Sequence, residues 1–269
     1  MRNRVTRKRC SVERRHTLTK VCVDLPKMFQ RCAHLSDIEN RVVRAAQAYF
    51  EANSVFVIGS TARGDCTTLS DMDVLVISRT RAEVASFHQQ IAHFESRPVS
   101  IILYSPEDFQ SLWGEGSLFI YHVLKEGCLH SDDGTFAAMV CRGEFTLKNC
   151  FREDIEEQLT RLQLYEDTSR FNDIYLHVLA RLFSIYKNIV FFSLAERGTP
   201  EFNKHRAFDR FYWIYPHARK MRPKMDYLHR FYLEAAKGVS FVELEHRSVT
   251  ANSVRWYLKS IRRLRVDIR

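Results

Sequence analysis

Between Val55 and Ser78 the chain reads VFVIGSTARGDCTTLSDMDVLVIS. Two β-branched runs, SVFVI and DVLVIS, flank a Gly-Ser turn, and two aspartates one residue apart open the second run. Side chains alternate faces along a strand, so Asp71 and Asp73 point one way while Met72, Val74 and Val76 point the other, into a core. The fold must therefore contain a strand that turns one face into a core and carries paired carboxylates at its start. Two carboxylates side by side repel and raise each other's pKa unless a cation sits between them. A divalent ion with hard oxygen ligands relieves that repulsion. Mg²⁺ fits best, because it is usually held by one or two carboxylates plus substrate phosphates, and Mn²⁺ is the substitute.

The turn before the aspartates completes the pattern. Gly59 lets the backbone approach a ligand closely. Ser60 starts a helical turn whose free N–H groups and hydroxyl suit a phosphate oxygen. Arg63, one turn later, can brace the loop or face the phosphates. A phosphate cradle beside a metal clamp suits one kind of chemistry: activating an attacking oxygen and stabilising the leaving pyrophosphate of a nucleoside triphosphate.

The rest of the chain divides in two. Residues 1–34 are basic and lack periodicity, and read as a leader-like or loosely docked arm. Residues 35–145 alternate helical and strand patterns. LSDIENRVVRAAQAYFEAN opens on a capping box, Ser36 with Glu39, and carries Val42, Val43, Ala46, Tyr49 and Phe50 on one face. Further helices are expected in RTRAEVASFHQQIAHFES, SPEDFQSLW and SLFIYHVLKEG, and strands in RPVSIILYS and CLHSDDG. From residue 146 to 269 only helices are expected, the longest of them stopped by Gly198 and Pro200. The fold class is α+β: a mixed sheet with flanking helices, followed by an all-helical bundle. Ile174 to Leu194 is apolar but contains Arg181 and Lys187, and reads as a core helix rather than a membrane span. No secretory leader is legible. Seven cysteines at irregular spacing suit a reducing, cytoplasmic setting, and no pair has zinc-site spacing.

The net charge of +9 is uneven. Residues 1–33 carry 10 Lys/Arg against 2 Asp/Glu, residues 34–150 carry 9 against 15, and residues 151–269 carry 22 against 15. An acidic centre able to hold metal, with basic flanks, allows RNA or another polyanion as partner. The plainer reading is a set of solvated basic faces.

Gly59-Ser60-Thr61-Ala62-Arg63-Gly64 followed by Ser70-Asp71-Met72-Asp73-Val74 resembles the signature of the DNA polymerase β-like nucleotidyltransferase superfamily. The likeness covers residues of about 40–130 and is nearest to the bacterial kanamycin or aminoglycoside nucleotidyltransferases and the minimal nucleotidyltransferases. It implies Mg²⁺-dependent transfer of a nucleoside monophosphate from an NTP, most plausibly ATP, to a hydroxyl on an RNA end, a protein or a small molecule. It also makes Asp71 and Asp73 the catalytic, metal-holding pair and Gly59, Ser60 and Arg63 nucleotide contacts. A lysine at the start of the bundle often faces the triphosphate in the resembling proteins, which adds Lys204 and Arg206. Some relatives dimerise to complete the site.

One position departs from the superfamily. The third metal-binding acid is expected on the strand RPVSIIL, where Ser100 stands. Glu95, Glu107 and Asp108 flank that strand and are the acids able to replace it, although Glu107 and Asp108 after Pro106 also read as first-turn helix acids. The alternative to an enzyme is therefore a weakened nucleotide-binding module: a sensor, an antitoxin-like protein or a nucleic-acid partner. Lys187 reads as a lysine snorkelling to solvent. Arg170 with His177 mimics the spacing of HEPN ribonucleases by accident. Phe208, Phe211, Tyr212, Trp213 and Tyr215 read as core aromatics rather than a base-stacking platform.

Overall fold

The computed structural model describes residues 19–80, 82–92, 97–172, 174–239 and 249–268. The first part of the chain runs β1 (Thr19–Val21), α1 (Leu25–Gln30), a 3-10 turn (Arg31–His34), α2 (Asp37–Tyr49), β2 (Ser54–Ile58), α3 (Gly59–Arg63) and β3 (Met72–Ile77). It continues with α4 (Val84–Ile91), β4 (Val99–Tyr104), α5 (Pro106–Gly114), α6 (Leu118–Glu126), β5 (Cys128–Asp132), α7 (Thr135–Arg142) and β6 (Phe145–Leu147). After these come α8 (Arg152–Arg161), α9 (Tyr175–Glu196), α10 (Lys204–Ile214), α11 (Arg222–Lys237) and α12 (Ala251–Ile268). The α+β class with a helical C-terminal region is the observed one.

The main sheet has the order β4-β3-β2-β5, with β3 and β4 parallel and the other neighbours antiparallel. Each face has its own core. Met72, Val74 and Val76 pack with Val42, Val43 and Ala46 of α2 and Phe87 and Ile91 of α4. Leu75 and Ile77 face the other side, among Phe109 of α5, Ile120 and Val123 of α6 and Phe136 of α7. Burying such a side chain contributes roughly 1.5–3 kcal/mol, so the register of β3 is firmly held. Asp73 shares the face of Leu75 and Ile77 and sits where that core ends. The α2 capping box forms as the spacing predicts: the Glu39 N–H donates to Ser36 Oγ at 3.3 Å, and the Ser36 N–H donates to Glu39 Oε2 at 2.7 Å.

The third core is the bundle, centred on α9. By length and composition α9 could cross a membrane, but 67% of its most apolar window is buried inside the protein. Its apolar side chains are covered by α8, α10, α11 and α12. Phe208, Phe211, Tyr212 and Tyr215 lie in this core, whereas Trp213 is 73% exposed. That core reading therefore needs correction at Trp213, which α10 turns outward.

Two expectations differ from the structure. The arm is docked from residue 19 onward, where β1 pairs antiparallel with β6. Met28 is 1% exposed, and the Arg31 guanidinium donates to the carbonyls of Leu124 and Gly127 at 3.3 and 3.2 Å. Residues 1–18 lie outside the described residues, as do Arg81 and 93–96 at the expected helix 79–96. The second difference is at the junction. Thr146 is the middle residue of β6, so strand structure continues past residue 145, and α8 starts only at Arg152. Beyond the junction the two halves lean on each other. Phe191, Phe192 and Phe202 from the bundle side pack against the sheet's second core, and the Phe151 N–H donates to Glu196 Oε2 at 2.6 Å.

Candidate active site

Gly59 follows β2 directly and has φ +71°, a conformation that L side chains rarely adopt. A Cβ there would lie 2.7 Å from Asp73 Oδ2. Bare backbone at Gly59 is therefore what allows the Asp73 carboxylate to lie against the turn. Ser60 is the second residue of α3, and its carbonyl accepts from the N–H groups of Gly64 and Asp65 as the turn closes. Asp73 pairs in register with Ile58 on one side and Ser100 on the other, and the Ser100 hydroxyl donates to its carboxylate. Burial, and after it the neighbouring Asp71 charge, pushes Asp73 up to about 6. The two acids therefore sit close enough to repel each other, at the mouth of the sheet and beside the glycine turn.

What faces them comes from the bundle. Lys237, the last residue of α11, places Nζ 2.5 Å from Asp71 Oδ2 with its side chain 9% exposed. Part of the Lys187 side chain on α9 is accessible, but its ammonium is desolvated. Burial lowers its pKa, and Asp73 and Asp71 oppose that shift. Lys187 thus turns into the cleft and does not snorkel outward. Lys204 opens α10 behind the Asn203 cap. Burial and then Lys187 and Lys237 bring it down to about 8, and it feels Asp71 as well. Its ammonium donates to His229 Nε2 at 2.6 Å. Burial and the Lys204 charge hold His229 down at about 3, so this imidazole is neutral and accepts. Three helices thus bring three ammonium groups around two carboxylates. The surplus positive charge and the dry, partly enclosed setting suit an anion carrying several charges.

The remaining expected residues lie at the edge. Arg63 is committed to carboxylates, with Nε 3.1 Å from Asp65 Oδ2 and Nη1 2.7 Å from Glu126 Oε2. Of the two roles open to it, the structure shows the brace. Asp65 also accepts from Asn203 Nδ2 at 2.6 Å, tying the turn after α3 to the start of α10. Arg206 is exposed, and its charge acts on Asp65. The structure therefore brings Gly59, Asp71, Asp73 and Lys204 together, with Ser60 in the turn, and leaves Arg63 and Arg206 on a strut.

Glu107 and Asp108 do not replace Ser100. Glu107 and Asp108 stand in the first turn of α5, where Asp108 bonds to the Ser105 cap. That turn follows the far end of β4, four residues beyond Ser100, a separation of roughly 13 Å at strand rise. Glu95 lies outside the described residues. Among the described residues no group of three or more His, Cys, Asp or Glu is placed to hold a metal ion. Arg170 pairs with Asp167 at 2.7 Å on an exposed turn, and His177 is exposed on α9.

Sequence reasoning missed Lys237 and His229. Their local pattern is that of a helix face, with His229 and Lys237 about two turns apart on α11. The available signal was a lysine immediately before the glycine that caps the helix, a poor marker when taken alone.

With this geometry in place, comparison with known proteins is informative. Residues 39–125 match the family model described as a nucleotidyltransferase domain. That stretch runs from α2 through α6 and includes Gly59, Asp71, Asp73 and Ser100. No curated protein matches the chain.

Proposed function

We propose, from the premise that residues 39–125 form a nucleotidyltransferase domain, that the cleft between sheet and bundle moves a nucleoside monophosphate from an NTP to an acceptor hydroxyl. The observation that carries the reading is the pair Asp71 and Asp73, set against the Gly59 turn and faced by Lys187, Lys204 and Lys237.

A divalent cation fits part of this donor set. Two adjacent carboxylates are hard oxygen ligands, and burial and then the Asp71 charge raise Asp73 to about 6, a repulsion that a bound cation would relieve. When bound, such an ion supplies charge neutralisation at the reacting phosphates. The chain's own residues do the rest. The Gly59–Ser60 turn offers backbone close to the phosphates, and the three ammonium groups balance triphosphate charge and that of the departing pyrophosphate. The acceptor oxygen forms a bond to the α-phosphorus while the bond from that phosphorus to the bridging oxygen of the β-phosphate breaks. The acceptor's proton leaves to a base, and pyrophosphate carries away the electron pair.

A second reading has one observation in its favour. Ser100 stands beside Asp73 where a further carboxylate would strengthen metal binding, which suits a module that binds nucleotide and transfers nothing. One assay separates the two readings. The protein is incubated with each α-labelled NTP, Mg²⁺ or Mn²⁺, and total RNA, cell lysate or a panel of small polyols and aminoglycosides. Label transfer that disappears in Asp71→Ala and Asp73→Ala is the expected result. Nucleotide retained without transfer to any acceptor assigns the module instead.

A further inference from the structure

The cleft contains fewer acids and more fixed positive charge than a pair of divalent ions needs. Asp71 Oδ2 is taken by Lys237 Nζ at 2.5 Å. The Asp73 carboxylate lies against the Gly59 turn, where a Cβ would come within 2.7 Å of Oδ2, and it accepts from Ser100. No third carboxylate, histidine or cysteine among the described residues joins them. A serine hydroxyl is neutral and cannot balance the charge of a second divalent ion. The Lys237 ammonium is also a built feature rather than a loose surface charge. Its side chain is 9% exposed, and it hangs from the last turn of α11, which ends at Gly238 with φ +64°. Lys187 stands behind it and adds a second ammonium felt by both aspartates. Each added cation must enter against these charges with only part of two carboxylates to hold it.

We infer that this site takes a single divalent cation per bound nucleotide, and that the Lys237 ammonium on Asp71 is the fixed charge that keeps a second ion out. The inference rests on the nucleotide-binding reading above but concerns the ion count alone. It makes the bundle part of the metal chemistry: a residue of α11 sets how many ions the sheet can hold.

The test counts bound Mn²⁺ by electron paramagnetic resonance, with bound α,β-methylene-ATP and its GTP, CTP and UTP counterparts measured in the same dialysed samples. Wild type and Lys237→Arg are expected to hold one Mn²⁺ per nucleotide. Ser100→Asp alone supplies a third carboxylate and is expected to stay at one, because the ammonium remains. Ser100→Asp with Lys237→Met removes the ammonium and is expected to hold two. Circular dichroism confirms that each variant is folded, and the wild-type count decides the first half of the inference without any variant. Two ions in the wild type overturn the single-ion site. Two in Ser100→Asp alone, or one in the double variant, overturn the role of Lys237. Retention of none of the four nucleotides overturns the function proposed above and this inference with it, whereas retention with a wrong ion count overturns only the latter.

Discussion

At the scale of single residues, Asp73 carries an electrostatic signature that pH can read. Its carboxyl lies above the ordinary carboxylate range because burial, and next the Asp71 charge, disfavour the ionised form. The folded chain therefore holds this proton more tightly than the unfolded chain. Ionising it costs stability as pH rises from about 4 through about 6, and the full cost is present above that window. Asp73→Asn, in EDTA, should raise unfolding free energy by about 1–3 kcal/mol at pH 7.5, with little gain at pH 4, as urea melts at the two pH values would show. An equal gain at both would mean that the stabilisation is not electrostatic. Lys204 runs the other way: burial and its lysine neighbours lower it to about 8, so it loses its charge within an accessible range. Phosphates placed beside it restore that charge, so nucleotide binding should weaken above pH 8 and take up a proton. Calorimetry at pH 8.5 in buffers of different ionisation enthalpy reads that uptake, which Lys204→Met should abolish. At this scale the sequence was informative where the site is local. Gly59, Asp71 and Asp73 lie within 15 residues, and strand alternation orients Asp73 on β3, with Asp71 just before the strand. Lys237 is 166 residues beyond Asp71, and only the packing of α11 against α9 brings it back. No spacing rule reaches that far.

Among the elements, legibility followed length. The capping box of α2, the β-branched runs of β2 and β3 and the 22-residue α9 each carry enough residues for their periodicity to stand out. β1 and β6 have three residues each and exist because they pair with one another across more than a hundred residues of sequence. Neither run signals a strand by itself, and so the arm looked loose and the junction looked helical. The same pairing makes a prediction. A chain starting at Leu35 loses β1, the burial of Val21 and Met28, and the bonds from Arg31 to Leu124 and Gly127. Removal of two buried apolar side chains and a strand pair should lower stability by roughly 3–6 kcal/mol. Denaturant melts against a chain starting at Thr19, which keeps all of these contacts, measure it. An unchanged midpoint would mean that β1 and α1 are dispensable. The Thr19 start also serves to test polyanion binding on heparin, because the segment it removes carries 7 Lys/Arg against 1 Asp/Glu.

For the molecule as a whole, the site belongs to neither half. The sheet supplies carboxylates and the glycine turn, and the bundle supplies the ammonium groups. The strut between them, Asn203 to Asp65, is a single hydrogen bond at 2.6 Å beside the aromatic contacts of Phe191, Phe192 and Phe202. A ligand held from both sides should therefore stabilise the two cores together. At a nucleotide concentration 100 times its dissociation constant, mass action contributes about 2.7 kcal/mol, which in a chain of this size moves the melting temperature by several degrees. The expected thermogram is one transition that shifts upward as a unit with nucleotide and Mg²⁺. Lys204→Met and Asp73→Asn, one in each half, should each remove most of that shift for the entire transition. Two separating transitions, with only the sheet half responding, would mean that the bundle lysines do not reach the nucleotide. In that case the anion-binding part of the site would have to lie within residues 39–125 alone.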